Sequence, residues 1–279
     1  MKLGLHLSIM GTIDRAVDRA VERNCNTLQM FSRNPRGWHS KTQDAGEIER
    51  FRAKVKKSGV WPVFIHMPYL LNLASPKEDV YRKSVIVLKD ELHRADALNV
   101  PYVVTHLGSH LGHGKKKGAT RIVDAINASF RAIENDVILL LENTAGTRNS
   151  MGSSFEDIEY IASKIEDKER VGICFDTCHA FAAGYDLVSQ GAVEYTLQRF
   201  DEVIGLEELR LVHLNDSKGG LGSRIDRHEH IGMGKITERG FRNILKSRLG
   251  KLPLILETPI DERRSDVENL RKARELAEQ

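Results

Sequence analysis

Val137-Ile138-Leu139-Leu140-Leu141-Glu142 is a run of five aliphatic residues that ends on a carboxylate. Short β-branched and aliphatic runs of this length read as strands buried on both faces of a parallel sheet. Five other runs have the same form. Trp61-Pro62-Val63-Phe64-Ile65 stops at His66, Tyr102-Val103-Val104-Thr105 at His106, and Gly172-Ile173-Cys174-Phe175 at Asp176. Leu209-Arg210-Leu211-Val212 precedes His213, and Pro253-Leu254-Ile255-Leu256 precedes Glu257. A closed parallel barrel collects the C-terminal ends of its strands on one face, where active sites lie. The spacing therefore predicts that six metal-binding residue types, scattered over most of the chain, converge on one spot.

Outward from these runs, strand and helix patterns alternate throughout. Leu3–Leu7 reads as a first strand with a helix over Thr12–Arg23, and Asn26–Phe31 as a second with a charged helix over Ala45–Lys57. The six runs follow in order. The helices predicted after them lie within Lys77–Leu98 and over Ala119–Glu134, Phe155–Glu166, Ala192–Ile204, Thr237–Leu249 and Glu262–Glu278. Eight such units predict an α/β fold, a (β/α)₈ TIM barrel forming one domain over residues 1–279. A doubly wound sheet would usually carry a Gly-rich phosphate turn after its first strand, and Ser8-Ile9-Met10-Gly11-Thr12 offers none. The longer connections follow the strands, at Ser32–Asp44, Met67–Pro76, Leu107–Gly118, Asn143–Ser154, Thr177–Val188 and Asn215–Lys235. Long loops on the active face suit a large ligand.

Composition narrows the class. A 41% hydrophobic and 29% charged chain of 279 residues is that of a water-soluble globular protein able to bury a full core. No apolar stretch approaches the roughly 20 residues of a membrane span, so no membrane partner is expected. Met1-Lys2-Leu3-Gly4-Leu5-His6 is too short and polar for a signal peptide. Three cysteines without a framework predict a reducing, cytoplasmic setting. A formal charge of +3 is too weak to announce a nucleic-acid partner alone.

Imidazole and carboxylate together suit zinc, manganese or iron. Three further candidates lie in loops on the same face: His179, three residues after Asp176, and the Asp226-Arg227-His228 pair. In an extended segment, i and i+2 side chains point the same way, so Asp226 and His228 can grip one ion together. Nine donors exceed the four of a single tetrahedral zinc and fit two or three ions with a bridging carboxylate. Four carboxylates meeting without cations would repel, since buried unpaired charge is very costly. His6 is expected at the pocket floor, His93 on a helix surface, His110 and His113 in solvated loops, and His39 and His230 behind the site or facing solvent. Cys174 and Cys178 read as structural.

Several stretches then resemble a known family. Asp176-Thr177-Cys178-His179-Ala180-Phe181-Ala182-Ala183-Gly184-Tyr185-Asp186 closely resembles a signature of endonuclease IV, the zinc-dependent apurinic/apyrimidinic endonuclease. So do His213-Leu214-Asn215-Asp216-Ser217-Lys218, Gly222-Ser223-Arg224-Ile225-Asp226-Arg227-His228, Leu141-Glu142-Asn143-Thr144-Ala145-Gly146 and His106-Leu107-Gly108-Ser109-His110. The resemblance covers essentially the whole chain. It implies three zinc ions: one on His66, His106 and Glu142, a second on Glu142, Asp176, His213 and Glu257, and a third on His179, Asp226 and His228. It also implies that Arg36, Tyr69 and Leu70 contact double-stranded DNA at the lesion.

The activity implied is hydrolysis of the phosphodiester 5′ to an abasic site, leaving a 3′-hydroxyl and a 5′-deoxyribose phosphate. A metal-bound hydroxide near Glu142 is the expected nucleophile, Glu257 the second catalytic carboxylate, and removal of 3′-blocking groups a side activity. A monomer is expected, because the active face must admit a duplex. The rival readings are a divalent-metal sugar isomerase or epimerase on the same barrel, and a non-catalytic nucleic-acid binder with closed metal sites.

Overall fold

A computed structural model describes residues 1–279. Eight parallel strands close into a barrel: β1 (Lys2–Leu7), β2 (Thr27–Met30), β3 (Val63–His66), β4 (Tyr102–His106), β5 (Ile138–Glu142), β6 (Val171–Asp176), β7 (Leu209–His213) and β10 (Pro253–Leu256). The ring runs β1-β10-β7-β6-β5-β4-β3-β2. Around it lie α1 (Arg15–Glu22), α2 (Ala45–Ser58), α3 (Glu78–Ala97), α4 (Lys115–Ala132), α5 (Phe155–Ala162), α7 (Gln190–Val203), α8 (Thr237–Lys246) and α9 (Asp266–Glu278). The expected barrel is present, and none of its helices is long and apolar enough to cross a membrane.

Two elements within the long loops go beyond the sequence pattern. A two-turn helix, α6 (Thr177–Ala183), starts directly at the end of β6, and an antiparallel pair, β8 (Asp216–Ser217) with β9 (His228–Glu229), folds out of the loop after β7. Helix α4 also begins four residues before its predicted start. Gly114 turns the chain with φ 98°, a conformation open to glycine, and Lys115-Lys116-Lys117 become the first turn.

Alternation along the strands explains the placement of the site. Side chains two residues apart on a strand share a face. Phe64, Val104, Leu140, Cys174, Leu211 and Ile255 form a separate buried cluster, one residue from each of six strands. They plug the barrel interior, while their neighbours Ile65, Val103, Leu141, Phe175, Val212 and Leu256 join the larger core under the helices. Two residues beyond each plug residue stand His66, His106, Glu142, Asp176, His213 and Glu257, which therefore point inward at the barrel mouth. The same step leads from Gly4 to His6 and from Thr27 to Gln29. Each of the eight strands thus carries an inward polar residue at, or within one residue of, its C-terminal end.

Candidate active site

Glu142 is the hub of this mouth. Fully buried at the end of β5, it places Oε2 3.2 Å from His66 Nε2 and 3.1 Å from His106 Nε2. Its Oε1 lies 3.2 Å from both His213 Nδ1 and His179 Nδ1. The strand register helps, since His106 pairs directly with Glu142 and Asp176 with His213. His213 Nδ1 also faces Asp176 Oδ2 at 3.8 Å and Glu257 Oε2 at 3.5 Å. One imidazole nitrogen is therefore surrounded by three carboxylates.

The loop residues complete the cluster through local devices. Asp176 caps α6 by accepting from the His179 backbone N–H at 2.7 Å, so one helical turn brings His179 back over the mouth. Buried Asp216 accepts from the backbone N–H groups of Ser217, Gly232, Gly234 and Ile236 at 2.8–3.0 Å. That carboxylate pins the loop carrying Asp226 and His228. Asp226 Oδ1 then lies 3.1 Å from His179 Nε2, and His228 Nε2 3.6 Å from Asp176 Oδ2. All nine sequence-derived candidates are brought together. The trios His66, His106, Glu142 and His179, Asp226, His228 each place ligand atoms within 4.8 Å of one another, close enough to hold a metal ion.

Hydrogen bonds to backbone carbonyls orient the rings. His66 Nδ1 donates to the Met67 carbonyl at 2.7 Å, His179 Nδ1 to the Asn143 carbonyl at 2.9 Å, and His228 Nδ1 to the Glu257 carbonyl at 3.0 Å. A carbonyl can only accept, so each bond puts the proton on Nδ1 and turns Nε2 toward the cluster. His228 Nε2 is buried with no hydrogen-bond partner at all. A buried polar atom left unpaired calls for an explanation such as a cation. This donor set, with one nitrogen of each ring tied to a carbonyl and the other facing carboxylates or, in His228, no partner, fits divalent transition-metal ions.

Electrostatics matches the geometry. Burial opposes ionisation of Glu142, but His106 and His213 outweigh it and hold its carboxyl well below the usual range. Burial likewise opposes a charged His179, yet Asp176, Asp226 and Glu142 prevail and raise its pKa well above the ordinary imidazole value. The hydrogen bond from His179 is the main cause that lowers Asp226 to about 2.

Arg36, Tyr69 and Leu70 stand on the rim. Arg36 is exposed. Tyr69 is 68% exposed, its ring edge-on to Phe31, and Leu70 is 37% exposed. The loop bearing Arg36 is anchored from below, where Arg33 pairs with Asp90 and Glu91 and Arg94 holds the Ser32 carbonyl at 3.0 Å. A cleft of about 500 Å³ lies over the cluster, walled by Tyr69, His106, Asp226 and Thr258.

Some working residues are missed or misplaced by sequence reasoning. Gln29, fully buried, bonds His213 and Glu257, and Asn215 donates to Asp176 Oδ2 at 2.7 Å. A lone amide inside the apolar strand β2 is the available signal for Gln29. His6 does reach the pocket floor, with Nδ1 3.0 Å from Glu257 Oε1. His230, expected behind the site or in solvent, is fully buried between Asp261 and Asn269, because the loop after β10 folds over it.

Barrel and donor cluster together define an enzyme of the xylose isomerase-like TIM-barrel class, and residues 17–279 match the family model of that description. The chain is 57% identical to the probable endonuclease 4 of Methanoculleus marisnigri, over 99% of this chain and 98% of that one. The crystal structure of endonuclease IV from Thermus thermophilus matches it with a TM-score of 0.86 and 37% identity, covering 100% of this chain and 99% of that chain. The chain belongs to the endonuclease IV family, and it is a nuclease. A D-tagatose 3-epimerase-like protein shares the barrel with a TM-score of 0.73, over 100% of this chain and 96% of that one, but at 20% identity this likeness concerns the fold alone.

Proposed function

We propose that this protein is a DNA-repair endonuclease that hydrolyses the phosphodiester 5′ to an abasic site in duplex DNA. The products are a 3′-hydroxyl and a 5′-deoxyribose phosphate, and the same site removes 3′-blocking groups. One observation carries the reading within the family: every strand of the barrel delivers an inward polar side chain to one mouth, and loop residues extend that cluster to nine donors.

Three zinc ions are the proposed complement. His66, His106 and Glu142 would hold one, Glu142, Asp176, His213 and Glu257 a second, and His179, Asp226 and His228 a third. When bound, such ions supply Lewis acidity toward a phosphate and lower the pKa of coordinated water to about 7. Glu142 contributes the carboxylate shared by the first two sets, and the carbonyl bonds on His66, His179 and His228 hold the other nitrogen of each ring aimed inward. Glu257, its Oε1 held by His6 and Gln29, presents Oε2 to the mouth and orients the attacking water. His179, Asp226 and His228, grouped on the loop side, would face the leaving 3′-oxygen. Four carboxylates around the mouth need cationic partners, and loaded with ions the site would favour an anionic phosphate.

Lesion recognition rests on shape. An abasic nucleotide has lost its stacking, so extruding it costs less than flipping a paired base. Tyr69 and Leu70 are exposed on a loop beside the mouth, the placement expected of wedges that fill a gap in the stack, with Arg36 as a prop. Tyr69→Ala combined with Leu70→Ala is expected to weaken binding to abasic duplex about 10- to 100-fold, given roughly 1–3 kcal/mol per stacking contact. Zinc content should stay unchanged. Mobility-shift titration and metal analysis check both, and zinc loss in the double variant would instead make the loop structural.

The reaction is tested with a duplex carrying one tetrahydrofuran abasic mimic. The expected product is a nick 5′ of the lesion bearing a 3′-hydroxyl. Turnover of a ketose with the duplex left intact would favour the sugar-isomerase reading, and tight binding without either reaction a non-catalytic binder. The proposed enzyme acts as a monomer in the cytoplasm.

A further inference from the structure

Four histidines in the mouth have one ring nitrogen fixed by a hydrogen bond outside the donor set. For His66, His179 and His228 the acceptor is a backbone carbonyl, which no substitution removes. His213 is the exception. Its outer nitrogen, Nε2, lies 2.8 Å from the side-chain Oε1 of Gln29. Gln29 is buried at the inward position of β2, and its amide orientation is set from the far side. Its Nε2 lies 2.8 Å from Glu257 Oε1, a carboxylate oxygen that can only accept. The amide nitrogen must therefore face Glu257 and the amide oxygen His213, so His213 donates from Nε2 to Gln29 and presents Nδ1 to the carboxylates of the mouth, as the nitrogen an ion would take in place of a proton.

We propose that Gln29 is a positioning residue that selects the His213 tautomer and aims Glu257, so that both offer lone pairs to the same ion. The proposal rests on the ligand sets given under Proposed function. Without the Gln29 acceptor, the favoured place for the His213 proton is Nδ1, which has carboxylate oxygens of Glu142, Glu257 and Asp176 at 3.2, 3.5 and 3.8 Å. A proton there occupies the atom the ion needs. Glu257 is steered by the same amide. Gln29 and His6 both bond its Oε1, at 2.8 and 3.0 Å, which leaves Oε2 turned toward His213. One side chain thereby coordinates two of the four ligands of the proposed second ion, and it touches neither substrate nor metal.

Gln29→Met and Gln29→Leu retain bulk and remove both bonds. Partners behind metal ligands typically contribute about 10- to 100-fold in metal affinity or activity. Both variants, purified zinc-loaded, are expected to bind one of three ions about 10- to 100-fold more weakly by competition with a graded chelator, while two stay as tight as in the parent. kcat on the tetrahydrofuran duplex should fall with little change in KM, and the metal-free melting temperature should hold. Three ions held with parental affinity and unchanged kcat would overturn the role of Gln29 and leave the ligand sets standing. Loss of all three ions with a lower metal-free melting temperature would also overturn it, marking Gln29 as a packing residue. A parent protein that binds no zinc at all would instead sink the ligand sets themselves.

Discussion

Replacing Glu142 with glutamine is expected to slow cleavage of an abasic duplex by roughly 10⁴-fold or more, about 5.5 kcal/mol of transition-state stabilisation at 1.36 kcal/mol per decade. Its two oxygens meet four histidine nitrogens at 3.1–3.2 Å, two on each oxygen. An amide offers one accepting oxygen and turns an NH₂ donor toward the other pair, so one half of the hub becomes repulsive to a cation. The shared carboxylate of two proposed ion sets disappears with it. Single-turnover cleavage and metal analysis of the same preparation check the result. Retention of three ions with more than about a tenth of parental activity would show that Glu142 is not the bridge.

Chelation is expected to abolish cleavage while leaving the barrel folded. The strands are held by a 60-residue apolar core and the interior plug, neither of which contains any of the nine donors. What changes on removing ions is the charge at the mouth, and its pH dependence follows from the pKa directions. His179 has a folded pKa well above 6.5, so its contribution to the metal-free state is complete below that value and fades as pH rises through the raised one. Glu142 lies well below 4.5, so its contribution is present above that value and fades as pH falls through the depressed one. Zinc must displace protons from these histidines, and it binds more tightly as pH rises. The gap in melting temperature between zinc-loaded and chelated protein should therefore widen from about pH 6 to about pH 8. A flat gap, or cleavage surviving full chelation, would remove the histidine cluster as the metal site.

Much of this site is legible in the chain's residue order alone, for a specific physical reason. Strands buried on both faces must be continuously apolar, so a histidine or carboxylate closing such a run is conspicuous, as at His66, Glu142 and Asp176. Parallel βα repetition then predicts that such closing residues share one face. His6 and Gln29 belong to the same ring yet stand out less. β1 opens with Lys2 and β2 has only four residues, so neither presents a long apolar run for its polar end to interrupt. The connections are less legible still. Asp216 looks like any loop acid until four backbone N–H groups close around it, and His230 could stand behind the site or in solvent until the loop after β10 covers it.

The sequence by itself determined the barrel, the nine candidate donors and the family, because strand periodicity, burial and long motifs are local properties of the chain. Only the tertiary structure decided which nitrogen of each ring faces inward, that Glu142 alone touches four histidines, and that His213 depends on Gln29 from a distant strand. Those relations come from hydrogen bonds between residues as far as 228 positions apart, and no local pattern encodes which partner the closed barrel will bring within hydrogen-bond reach.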